Sequence, residues 1–184
     1  MNTGVTASRY AKAFLSFVTE TGAGEKVYSQ VGTIVQALDA VPQLKNLILK
    51  RDEVELGHKI ELLSVLLEEP LAEEICKFMV LVSENNRMEL FQRMLWAFIS
   101  QYRDANNIKV GSLVTAVPYD GLREKLESFF HEKTGSEVHF TTAEDPELIG
   151  GFIFELDGRR LDASVKSQLE RIRRSLIDES SRIV

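Results

Sequence analysis

The apolar residues of this 184-residue chain change their spacing once, near residue 105, and that change divides the fold. Before it they recur at i, i+3/i+4 and i+7. Tyr10, Phe14, Phe17 and Val18 form one stripe, Val27, Val31, Ile34 and Leu38 the next, and Leu56, Ile60, Leu63 and Leu67 another. Phe91, Met94, Leu95, Phe98 and Tyr102 close the series. Such spacing puts one apolar stripe on each helix. Gly22-Ala23-Gly24, Val41-Pro42, Pro70 and Asn85-Asn86 interrupt the pattern, and a short helix fits from Pro42 to Leu49. Residues 1–105 are therefore expected to form an all-α antiparallel bundle of six helices joined by short loops.

After Asn106-Asn107 the pattern becomes strand-like. Ile108, Val110, Leu113, Val114 and Val117 run up to Pro118, and Leu122, Leu126, Phe129 and Phe130 return to helical spacing as far as Gly135. Val138 to Thr142 reads as a second strand. Phe152, Phe154 and Leu156 alternate up to Asp157-Gly158, a preferred two-residue hairpin turn that sets Leu161 opposite Phe154. Gly150-Gly151 reads as a tight turn into that hairpin. A last helix carries Val165, Leu169, Ile172 and Leu176. Residues 106–184 are expected to form a small α/β domain.

Composition narrows the function. The chain has 22 Lys and Arg against 28 acids, split equally between 1–105 and 106–184, and a net charge of −6. That balance argues against a general nucleic-acid binder, which needs a basic face. A single cysteine and no spanning-length apolar run lead us to expect a soluble intracellular protein. The start, MNTGVTASRYAKAF, lacks the apolar core of a signal peptide. His58, His131 and His139 have no paired metal-ligand spacing, and Cys76 lies in an apolar helix. No GxSxG, HExxH, CxxC or phosphate-loop motif occurs. We expect no catalytic residue, no metal and no cofactor, and Asp145, Asp162 and the glycine pair make a poor basis for an unrecognised enzyme.

Three features point to partner binding. In a helix from Leu71 to Ser83, Ile75, Phe78, Met79 and Val82 fall on one side, and Ala72, Cys76, Val80 and Ser83 form a second arc. Either this helix is covered all round by its own bundle, or its second side meets a partner. Trp96 stands off the stripe of its helix, at the bundle rim or at an interface. From Arg159 to Arg174 there are six bases, Arg159, Arg160, Lys166, Arg171, Arg173 and Arg174, against Asp162 and Glu170. They form a solvated face or meet an acidic partner; a nucleic-acid-associated regulator using this helix is the alternative.

Arg9 to Phe14, RYAKAF, resembles the opening helix of the delta subunit family of F-type ATP synthase, whose mitochondrial member is the oligomycin-sensitivity-conferring protein. Glu84 to Phe91, ENNRMELF, looks like the junction before that family's sixth helix. Asp145 to Leu176 is similar to its C-terminal signature, apart from Ala163 where a glycine is common. The resemblance implies a non-catalytic stator subunit, one copy per complex, at the cytoplasmic face of the bacterial inner membrane. It implies that the helical domain grips N-terminal helices of the alpha subunits in a groove between its first and fifth helices. In this chain that groove would be Tyr10, Ala11, Phe14 and Leu15 with Ala72, Cys76, Met79, Val80 and Ser83. The second domain is implied to join the C-terminal region of the b subunits, with Arg171, Arg173 and Arg174 as charge complement or the apolar side of the same helix as the contact. The protein would resist rotor torque during proton-driven ATP synthesis.

Overall fold

A computed structural model describes residues 3–50, 54–117, 120–156 and 158–181. The chain is mostly helical with one small mixed sheet, and it divides into two compact units, 1–105 and 106–184.

The first unit runs α1 (Thr3–Thr21), α2 (Gly24–Ala40), α3 (Pro42–Leu49), α4 (Leu56–Leu67), α5 (Glu73–Glu84) and α6 (Phe91–Ala105), with a 3-10 turn at Met88–Leu90. Pro42 opens α3, where its fixed φ suits the first turn and its missing N–H costs nothing. α5 ends in a Schellman turn: Asn86 is left-handed at φ 56, its N–H donates to the Ser83 carbonyl, and that of Arg87 to the Val82 carbonyl. The helices share one core, in which Phe14 stacks on Phe78 and tilts against Phe98.

Two expectations need correction. The fifth helix begins at Glu73, two residues later than its apolar spacing indicates. Buried Gln30 of α2 accepts the Ala72 N–H at 2.9 Å and donates to the Pro70 carbonyl at 3.1 Å and to Glu69 at 2.7 Å. These bonds hold 70–72 outside the helix, so a tertiary contact overrides local propensity. The packing is also not antiparallel throughout. Phe14–Phe78 and Phe17–Lys77 contacts run α1 against α5, but Arg93 donates to Thr3 and Gln101 to Ser8, so α1 and α6 are parallel. The reason is simple: α6 reverses α5, which itself reverses α1.

The second unit runs β1 (Ile108–Thr115), α7 (Asp120–Thr134), β2 (Glu137–Glu144), β3 (Phe152–Leu156), β4 (Arg159–Asp162) and α8 (Val165–Ser181). The sheet order is β2-β1-β3-β4, with β1 and β2 parallel across α7 and the other pairs antiparallel. Phe154 pairs with Leu161, the register that the hairpin turn predicts. Gly158 takes φ +72; Asp157, Pro118 and the Leu176 side chain lie outside the described residues. Leu113, Val138 and Phe140 make the core with Leu122, Leu126 and Phe130 of α7 and Phe154 of β3. Gly151, at φ +77, turns the chain where a Cβ would stand 2.2 Å from the Ala163 carbonyl oxygen.

Candidate partner-binding surfaces

The seam between α1 and α5 is defined by three contacts. Phe14 stacks on Phe78 at its floor. At one end the Lys77 ammonium lies 5.8 Å from the centre of the Phe17 ring; at the other, the Arg87 guanidinium lies 5.2 Å from that of Tyr10. Between these ends α1 exposes Ala13, and α5 exposes Leu81, which is 45% accessible and lies between Phe78 and Lys77 around the helix. The result is a shallow apolar strip of Tyr10, Ala13, Phe17 and Leu81, with an aromatic ring and a cation at each end. Lys77 also pairs with Glu73 at 2.6 Å. The hydrogen bond from Lys77 holds the Glu73 carboxyl below its ordinary range and the ammonium above its own.

This seam contains few of the nine residues that the family resemblance implies. Tyr10 belongs to it. Phe14 is its buried floor, Ala11 and Met79 are core side chains that present no surface, and Ala72 is buried ahead of α5. Leu15 lies about 140° around α1 from Tyr10, on the other flank. Cys76, Val80 and Ser83 lie about 140–160° around α5 from Phe78, on the flank turned away from α1. Val80 is exposed and Cys76 half-buried there, where burial pushes the Cys76 thiol up. Ala13, Phe17 and Leu81 stand in the seam without being among those nine. The signal was present: Tyr10 and Phe17 are seven apart on α1, and Lys77 and Leu81 four apart on α5.

In the second unit α8 carries Val165, Leu169 and Ile172 exposed along one side. Arg171, Arg173 and Arg174 are exposed, but they form no single basic face, since Arg173 lies about 160° around the helix from Arg171. Arg174 pairs with Glu170 at 3.6 Å and Lys166 with Glu147 at 3.3 Å. Arg159 and Arg160 stand on β4, beside a cavity of about 790 Å³ floored by Phe154, Leu156 and Leu161. The start of α8 is set by Asp162, whose carboxylate accepts from the Ser164 N–H at 3.0 Å and from the Ser164 and Ser167 hydroxyls at 2.7 Å. The Ser164 hydroxyl bond, with the two others, lowers the Asp162 carboxyl to about 2. On α6, Trp96 is half-exposed.

Among the described residues no group of three His, Cys, Asp or Glu is placed to hold a metal, and no helix is long and apolar enough to cross a membrane. Two compact units each present an exposed apolar helix surface with charged flanks. Residues 6–176 match the family model for the ATP synthase delta (OSCP) subunit, and the chain belongs to that family. It is similar over its whole length to ATP synthase subunit delta of Phocaeicola vulgatus, at 34% identity, and of Bacteroides thetaiotaomicron, at 32%, each covered 100%. The Lactobacillus delbrueckii subsp. bulgaricus protein of the same name is 30% identical over 93% of this chain and 95% of its own. The fold matches a chain in the cryo-EM structure of the Toxoplasma gondii mitochondrial ATP synthase hexamer, at TM-score 0.61 and 20% identity, covering 93% of this chain and 97% of that one. The chain is thus a non-catalytic peripheral-stalk component of F-type ATP synthase.

Proposed function

We propose that residues 1–105 act as a six-helix bundle gripping the catalytic head, with an N-terminal helix of an alpha subunit lying along the α1/α5 seam. The observation that carries this reading is the apolar strip of exposed Ala13 and Leu81 between half-buried Tyr10 and Phe17, which suits an amphipathic helix. Ala13 matters most, because a small residue between two aromatic rings lets a second backbone come close.

Residues 106–184 take the C-terminal region of the b subunits. The exposed Val165, Leu169 and Ile172 of α8 supply apolar contact, and Arg171, Arg173 and Arg174 orient the encounter. The protein sits at the cytoplasmic face of the bacterial inner membrane, tied there through its partners. Its task is mechanical: torque on the rotor acts equally and oppositely on the head, which turns idly unless both joints dissociate slowly compared with turnover.

The test is a titration of the full-length protein with a synthetic peptide of the N-terminal helix of the same organism's alpha subunit. Ala13→Trp and Leu81→Glu, both at exposed positions, are expected to weaken binding at least about ten-fold. Val80→Glu, on the far flank of α5, is expected to leave it unchanged. Wild-type affinity in both seam variants overturns the reading.

A further inference from the structure

The turn that ends α5 decides where Arg87 goes. With Asn86 left-handed and the Arg87 N–H held 3.0 Å from the Val82 carbonyl, the side chain crosses to α1. Its Nη1 donates to the Tyr10 hydroxyl at 2.8 Å, and its guanidinium lies 5.2 Å from the centre of the same ring. Tyr10 is thereby held at two points, the oxygen at its tip and the face of its ring. A flexible point charge such as lysine lacks the planar fork that makes both contacts at once.

The two ends of the seam differ in charge. At the Phe17 end Lys77 is neutralised by Glu73 at 2.6 Å. At the Tyr10 end half-buried Arg87 has no carboxylate partner among the described residues, and one of its five N–H donors is committed to Tyr10. A helix laid over this end covers the guanidinium. Covering a cation without an anion is strongly unfavourable, so the occupant needs a carboxylate there.

We propose that Arg87 is the positioning residue of the seam: it props Tyr10 as the end wall and receives an acidic side chain of the docked amphipathic helix, fixing which way that helix lies. The proposal rests on the α1/α5 reading above and adds the polarity of the bound helix and the residue that sets it.

The experiment measures binding of the same alpha-subunit peptide to full-length wild type, Arg87→Ala, Arg87→Lys and Tyr10→Phe, each at low and at high salt. Arg87→Ala is expected to lose about ten-fold or more in affinity and to flatten the salt response. Arg87→Lys keeps the salt response with weaker binding. Tyr10→Phe keeps the ring and the salt response but loses the hydroxyl prop. A purely structural role lowers the thermal midpoint and the affinity together and leaves the salt response alike in all four proteins. That result, or wild-type affinity in Arg87→Ala, overturns the proposal. If Arg87→Ala does not fold, Arg87→Gln, which keeps most of the stem and an N–H donor for the Tyr10 hydroxyl but removes the charge, decides by the same criteria: a flattened salt response with weaker binding is expected, and a wild-type salt response overturns the proposal. Failure of the wild type to bind the peptide removes the seam reading as well, whereas equal binding by all four proteins removes only the role of Arg87.

Discussion

Phe14 and Phe78 lie face to face, ring centroids 4.3 Å apart and planes 14° from parallel, joining α1 to α5 across 64 residues of chain. Both are buried, and Phe14 also meets Phe98 of α6 at 4.7 Å. Phe14→Ala removes a ring from the point where three helices meet and leaves a cavity that a rigid core fills poorly. We expect a loss of about 3–5 kcal/mol. Urea unfolding followed by fluorescence of Trp96, the one tryptophan, measures it directly.

Gly151→Ala and Gly158→Ala make an informative pair in the second unit. Both glycines have φ above +70°, but only at Gly151 does a Cβ meet backbone, 2.2 Å from the Ala163 oxygen. Gly158→Ala is expected to cost about 1–2 kcal/mol, the left-handed penalty alone. Gly151→Ala should cost clearly more and shift amide resonances on both sides of the β4–α8 junction. Equal melting of the two variants would contradict this difference.

Asp162 makes the β4–α8 junction sensitive to acid. Its carboxyl is lowered to about 2 by the Ser164 hydroxyl, then the Ser164 N–H and the Ser167 hydroxyl. Because the folded value lies below the ordinary one, the charged form stabilises the junction above about pH 4, and that contribution is lost as pH falls from there through about 2. Asp162→Asn should flatten this acid limb. Amide exchange at Ser164 and Ser167, followed across that range, tests it.

Cys76 reports on which side of α5 the partner binds. Burial raises its thiol above the ordinary value, so alkylation near neutral pH should be slower than for a free thiol. It stands on the flank of α5 turned away from α1. Saturating alpha-subunit peptide is therefore expected to leave its alkylation rate unchanged; strong protection would place the partner on the Cys76, Val80 and Ser83 side instead.

Lys59 is a buried cation with a structural task. Its ammonium donates to the Ile48 carbonyl at 3.1 Å and to that of Lys50, closing the end of α3. Lys59→Met keeps the stem and removes the donors, leaving carbonyls short of partners. The expected loss is about 1–3 kcal/mol, read from the thermal midpoint of the first unit.

Much of this architecture is written in spacing. The helical period of Phe91, Met94, Leu95 and Phe98 and the alternation of Phe152, Phe154 and Leu156 report local geometry, because burial of one face imposes it residue by residue. Pro42 marks a helix start by its own covalent structure, and the Asp157-Gly158 pair sets the register of Phe154 against Leu161. The RYAKAF and C-terminal blocks carry the family, which the family model and the full-length relatives establish.

The candidate site was less legible. Spacing gives the angle of a side chain around its own helix, but not which neighbour stands at that angle. Cys76, Val80 and Ser83 do form a second arc on α5, yet α1 lies against the opposite flank, where Phe78 and Lys77 meet Phe14 and Phe17. Leu15 is apolar and close in sequence to Phe14, yet it lies on the other flank of α1 from Tyr10. The start of α5 depends on Gln30, some 40 residues earlier, whose amide competes for the backbone of 70–72. The elements, the change of fold class near residue 105 and the family are all readable from residue order. Which faces meet and which stay exposed emerges in the folded chain alone, because contacts between residues far apart in sequence make that choice and no local period records them.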